Sequence, residues 1–134
     1  MSKKILVVDD DKDVSEASKI ALEANGYIVD VANSGKECLE KVKIFKPDLI
    51  LLDIMMDSIT DGLHVSYTLK DATNPEYKEF VNTPIIMISS IESKQGINID
   101  KKSDSEFIKA DVFMRKPVNP MALIQKVKEL LKEV

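Results

Sequence analysis

The chain has 134 residues, 44% of them hydrophobic and 31% charged, with a net charge of −4. That size suits one domain with a real core, and the acidic balance gives no reason to expect nucleic acid or an anionic membrane as the main partner. The apolar stretches run to a handful of residues, far below the roughly 20 that a membrane helix needs.

Met1-Ser2-Lys3-Lys4 leads directly into a strand, so no signal peptide is expected. One cysteine, Cys38, cannot form an internal disulfide and suits a reducing cytoplasm; its helical context makes it a packed small hydrophobe. His64 is the only histidine, which excludes multi-histidine metal sites.

Apolar runs of strand length alternate with stretches of helical period, the pattern of βα repeats on a parallel sheet. The first strand is Lys4 to Val8. Val14, Ala17, Ile20, Ala21 and Ala24 then fall at helical spacing, and Asn25-Gly26 ends that helix. Ile28 to Ala32 is the second strand. Ser34 caps a second helix with the stripe Cys38, Leu39, Val42 and Phe45, and Lys46-Pro47-Asp48 breaks it. Leu49 to Asp53 is the third strand, followed by a helix from near Asp61-Gly62 past Leu69. The stretch from Asp71 to Thr83 is loose, with an extra helical turn near Glu76 to Phe80. Pro84 opens the fourth strand, Ile85 to Ser89. A short, irregular fourth helix is expected between Ile91 and Glu106, and a fifth strand over Asp111 to Met114. The last helix begins near Pro120 with Leu123, Ile124, Val127, Leu130 and Leu131 as its stripe. Residues 1–134 thus read as one doubly wound α/β domain of five parallel strands and five flanking helices.

The polar residues collect at the strand ends. Strand one delivers Asp9, Asp10 and Asp11, strand three ends at Asp53, strand four at Ser89, and Lys116-Pro117 follows strand five. In a parallel sheet these ends share one edge, where α/β proteins bind ligands. Crowded carboxylates repel, and a hard divalent cation with oxygen ligands relieves them, which points to Mg²⁺. A carboxylate nucleophile, a cation, a lysine and a hydroxyl make a complete set for phosphoryl transfer. Asp11 and Asp13 read as capping or surface acids rather than metal ligands, and Asp57 as a solvated loop acid.

These pieces, Ile5-Leu6-Val7-Val8-Asp9-Asp10, Leu51-Leu52-Asp53-Ile54-Met55-Met56, Asp61-Gly62, Ile86-Met87-Ile88-Ser89-Ser90 and Lys116-Pro117, resemble the receiver domains of two-component response regulators, in the family's order and over nearly the whole chain. The resemblance implies a flavodoxin-like fold with strand order 2-1-3-4-5. It implies that Asp53 accepts a phosphoryl group from a sensor histidine kinase or phosphotransfer protein. Asp10, Asp53 and the main-chain carbonyl of Met55 would ligate Mg²⁺, with Asp9 acting largely through water. Ser89 and Lys116 would bind the phosphoryl oxygens, and Phe113 would switch with Ser89. A monomer or weak phosphorylation-dependent dimer is expected, in the cytoplasm, signalling to a partner protein or fused output domain without direct nucleic-acid or membrane binding.

The chain departs from the family where Asp57 replaces a common proline and where Asp61-Gly62 falls one residue late. The stretch from Ser89 to Lys116 is also a few residues longer than usual. Met55 and Ile91 sit at positions that influence water access to the acyl phosphate, and both are apolar, implying a long-lived phosphorylated form. The alternative reading is a non-phosphorylated pseudo-receiver acting as a constitutive docking module. A phosphohydrolase with an aspartyl nucleophile is less consistent, since such enzymes usually place a second acid two positions on, where this chain has Met55. A nucleotide-binding enzyme lacks its glycine-rich loop after strand one.

Overall fold

The structure, a computed structural model, describes residues 3–53, 59–89, 112–115 and 119–132. Its strands are β1 (Lys4–Val8), β2 (Ile28–Ala32), β3 (Leu49–Asp53), β4 (Ile85–Ser89) and β5 (Val112–Arg115). They form one parallel sheet in the order β2-β1-β3-β4-β5. The helices are α1 (Lys12–Ala24), α2 (Gly35–Phe45), α3 (Ile59–Leu69) and the C-terminal α4 (Pro120–Leu130), with a 3₁₀ turn at Lys78–Phe80. The expected irregular helix between Ile91 and Glu106 lies outside the described residues, as do Met55, Asp57 and Lys116-Pro117.

The continuous apolar runs of β1 and β3 follow from cover on both faces of the sheet. Alternate residues serve opposite sides. Leu6, Val8, Ile50, Leu52, Ile85 and Met87 pack with α2 and α3 through Cys38, Val42, Val65 and Leu69. Ile5, Val7, Leu49, Leu51, Ile86 and Ile88 pack with α1 and α4 through Leu22, Leu123 and Val127.

The helix ends carry the expected chemistry. The Asp11 carboxylate accepts from the amides of Asp13 (3.0 Å) and Val14 (3.3 Å) at the start of α1. Gly26, at φ 91°, takes the chain out of that helix in a backbone region that side chains disfavour. The Ser34 hydroxyl accepts from the Glu37 amide (3.1 Å), and the Glu37 carboxylate accepts from the Asn33 amide (2.6 Å), close to a capping box. Asn119 caps α4, with Pro120 in its first turn.

Two boundaries and one buried face differ from the sequence reading. Helix α3 begins at Ile59, ahead of Asp61-Gly62, and ends at Leu69 rather than beyond it, because the chain turns at Lys70 and Asp71. The fifth strand is shifted to Val112–Arg115. The third difference is in α1. Its buried residues are Ser15 and Leu22, whereas Val14 and Ile20 remain 38% and 60% exposed, and Ala17 and Ala24 are exposed too. Positions 15 and 22 lie two turns apart on one face, and Leu22 takes the sheet-facing place while the equally large Ile20 stays exposed. The Val14-Ala17-Ala21-Ala24 stripe is thereby rotated off the sheet.

Candidate functional site

Register brings the strand ends into line. Val8 of β1 is level with Leu52, Asp53 with Ile88, and Ser89 with Arg115. Asp9 and Asp10 continue directly from β1, Asp53 closes β3 and Ser89 closes β4, so residues remote in sequence meet on the carboxyl edge. Asp9 is held at several points. Its amide donates to the Ala32 carbonyl (3.0 Å), its carbonyl accepts from the Asn33 side-chain amide (2.7 Å), and its carboxylate accepts from the Asp11 amide (2.9 Å).

Asp9 and Asp53 are buried, 5% and 3% exposed, while Asp10 is exposed. One carboxylate oxygen from each of the three lies within 4.8 Å of the others. Buried carboxylates are costly unless something compensates their charge. An all-oxygen donor set at this spacing suits a hard cation such as Mg²⁺ and is a poor match for metals that prefer sulfur or imidazole. The donor chemistry therefore fits Mg²⁺.

The sequence-derived site thus divides into placed and unplaced members. Asp9, Asp10 and Asp53 converge; Ser89 ends the strand beside β3; Phe113 lies on β5 level with Met87. Met55 and Lys116 fall outside the described residues. Asp11 does cap α1, as expected, and it also supplies an amide to Asp9. Asn33 was missed: it reads as a loop residue after β2, yet its side chain anchors the Asp9 backbone. Only its place at a strand's carboxyl end could have suggested this. His64 is exposed, and Cys38 is fully buried, its thiol pushed up to about 12 by desolvation.

Comparison with known proteins matches the description "Response regulator receiver domain" to residues 5–128, which covers most of the chain. This chain belongs to the response regulator receiver family. It is 35% identical over 132 residues to the alkaline phosphatase synthesis transcriptional regulatory protein PhoP of Bacillus subtilis, and 32% identical over 132 residues to the response regulator MprA of Mycobacterium ulcerans. Those alignments cover 98% of this chain but 50% and 51% of the relatives, so the chain spans about half their length.

Among solved structures, the receiver domain of a Francisella response regulator is 31% identical with a TM-score of 0.78, covering 98% of each chain. A two-component response regulator from Clostridium difficile is 30% identical with a TM-score of 0.76, covering 98% of this chain and 97% of that one. The receiver is thus a signalling module of a two-component system, a switch rather than a conventional enzyme. Among its described residues no helix is long and apolar enough to cross a membrane.

Proposed function

We propose that this receiver takes a phosphoryl group onto Asp53 from the phosphohistidine of a sensor kinase or phosphotransfer protein, in a Mg²⁺-dependent reaction. The observation that carries the reading is the convergence of Asp9, Asp10 and Asp53, two of them buried, at the carboxyl edge of the sheet. Asp10, Asp53 and the Met55 carbonyl would hold the ion, with Asp9 contributing through water. When bound, Mg²⁺ supplies positive charge against the phosphoryl oxygens.

The chain's own part is to position the nucleophile. An Asp53 carboxylate oxygen forms the new bond to phosphorus as the bond to the donor imidazole breaks, and the electron pair leaves with the ring nitrogen. Lys116 and the Ser89 hydroxyl are assigned to the phosphoryl oxygens, and the new acceptor oxygens on Asp53 draw Ser89 inward with Phe113 following. That shifts the population of a signalling surface toward the β4–β5 side of the sheet. Output goes to a partner protein or a fused domain from a cytoplasmic module, without direct nucleic-acid contact, in keeping with the net charge of −4. The pseudo-receiver alternative gives no role to a tight group of three carboxylates.

A Mg²⁺ titration read by amide chemical shifts tests the metal half of this reading. Saturable shifts at Asp9, Asp10 and Asp53 that vanish in Asp10→Ala support it. A site with no Mg²⁺ response leaves the docking-module alternative standing.

A further inference from the structure

Sheet pairing ends one residue before the acidic site begins. The register of β1 with both neighbours stops at Val8, level with Ala32 of β2 and Leu52 of β3. The peptide joining Asp9 to Asp10 lies beyond that point, and a side chain reaches across to hold it. The Asn33 carboxamide donates to the Asp9 carbonyl (2.7 Å), while the Asp9 amide donates to the Ala32 carbonyl (3.0 Å). Both peptides that flank Asp9 are therefore tied to the end of β2.

The Asn33 bond acts as one more rung of the sheet. At the start of the strand pair the Ile28 amide donates to the Lys3 carbonyl. Two-residue steps along a parallel ladder carry that pattern to the Ser34 amide and the Asp9 carbonyl. Ser34 is already the cap of α2, and the Asn33 side chain meets that carbonyl instead. Asn33 is itself fixed from behind. Its amide donates to the Glu37 carboxylate (2.6 Å), and the Glu37 amide donates to the Ser34 hydroxyl (3.1 Å). The first turn of α2 thus braces the peptide that carries Asp10.

A peptide unit is planar, so a held carbonyl at Asp9 also sets where the Asp10 side chain starts. Asp9, Asp10 and Asp53 each bring one carboxylate oxygen within 4.8 Å of the others. Mg²⁺ demands near-ideal octahedral geometry at about 2.0–2.1 Å, whereas Ca²⁺ accepts irregular shells at about 2.3–2.6 Å. Drift in one ligand's backbone therefore penalises Mg²⁺ more than Ca²⁺.

We propose that Asn33 is a positioning residue for the cation site, its carboxamide holding the Asp9–Asp10 peptide and thereby favouring Mg²⁺ relative to Ca²⁺. Asn33 touches no cation; it works through the backbone of the two acids. This inference rests on the Mg²⁺ reading above and deepens it.

The test titrates the unmodified protein, Asn33→Ala and Ser34→Ala with Mg²⁺ and, separately, with Ca²⁺, following the amide shifts of Asp10 and Asp53. Urea unfolding of each protein is measured alongside. Asn33→Ala is expected to weaken Mg²⁺ by about 10–100-fold and Ca²⁺ clearly less, moving the ratio of the two affinities toward Ca²⁺ by about tenfold. Ser34→Ala removes a cap bond from the same turn, so it lowers the urea midpoint but leaves both cation affinities and their ratio unmoved. Asn33→Ser is too short to reach the carbonyl yet suits a loop, so it repeats the Asn33→Ala result and keeps the test sound if that variant misfolds. An unchanged Mg²⁺ affinity in the Asn33 variants, equal weakening of both cations, or the same shift in Ser34→Ala overturns the proposal while the Mg²⁺ site stands. An unmodified protein that gives no Mg²⁺ response overturns the metal reading and the proposal together.

Discussion

The two faces of the sheet are built from alternate residues of the same strands, yet they are finished differently. On the α2–α3 side, the segment between α3 and β4 folds back as a strap. Tyr77 and Phe80 enter the core, 8% and 4% exposed, and the Tyr77 hydroxyl donates to the Leu39 carbonyl (3.2 Å). Lys70 donates to the carbonyls of Val81 (3.3 Å) and Thr83 (2.7 Å), while Lys43 pairs with Glu76 (2.5 Å) and Lys46 with Glu79 (3.7 Å). On the α1–α4 side, α1 gives Leu22 as its one large fully buried side chain and leaves a cavity next to the acidic site. One face is strapped over by two buried aromatics, and the other leaves its cavity beside the chemistry.

The largest expected effect lies on the closed face. Phe80→Ala removes a buried aromatic from a packed cluster and should cost about 3–5 kcal/mol in urea unfolding. A loss below about 1 kcal/mol would mean the strap is a passive loop and would erase the contrast.

Next comes a paired enlargement, one residue on each face. Cys38→Leu overpacks the closed side and should destabilise by about 1–3 kcal/mol. Ala21→Leu grows into the cavity and should stabilise by about 0.5–2 kcal/mol. Equal signs for the two substitutions would show that the faces are packed alike. Tyr77→Phe sharpens the picture more gently, losing the hydroxyl bond to Leu39 for about 0.5–1.5 kcal/mol.

The smallest effect is electrostatic. The hydrogen bond from Lys43 holds the Glu76 carboxyl below its ordinary value, and the same contact raises Lys43. Because the Glu76 pKa is depressed on folding, its contribution is present above the ordinary glutamate range and is lost as pH falls through the folded value. Lys43 works in the opposite sense, contributing below the ordinary lysine value and losing that contribution as pH rises past it. Both groups are exposed, so the difference between Glu76→Gln and the unmodified protein should be slight at neutrality and disappear as pH falls through the folded Glu76 value. A difference that grows in acid would mean Glu76 is held by something other than Lys43.

Much of this was readable from residue order. Apolar runs bounded by Asp9, Asp53 and Ser89 located three strand ends, and cap residues such as Ser34 and Asn25-Gly26 marked the helices, because both signals are local. What escaped was relational. Helical spacing in α1 revealed an apolar stripe, but not that Leu22 would take the sheet and turn the stripe aside. Tyr77 and Phe80 sit in a segment too short for a periodic pattern, so their burial depends on α2, thirty-odd residues earlier in the chain. Asn33 acts on Asp9 through a contact between two strands' ends that no spacing encodes.

The central claim is that the acidic edge exists to phosphorylate Asp53. Incubating the protein with acetyl phosphate and Mg²⁺ and reading intact mass tests it most directly. The account predicts one added phosphoryl group, absent without Mg²⁺ and absent in Asp53→Ala. An unmodified mass, or a phosphoryl group that persists in Asp53→Ala, would contradict it.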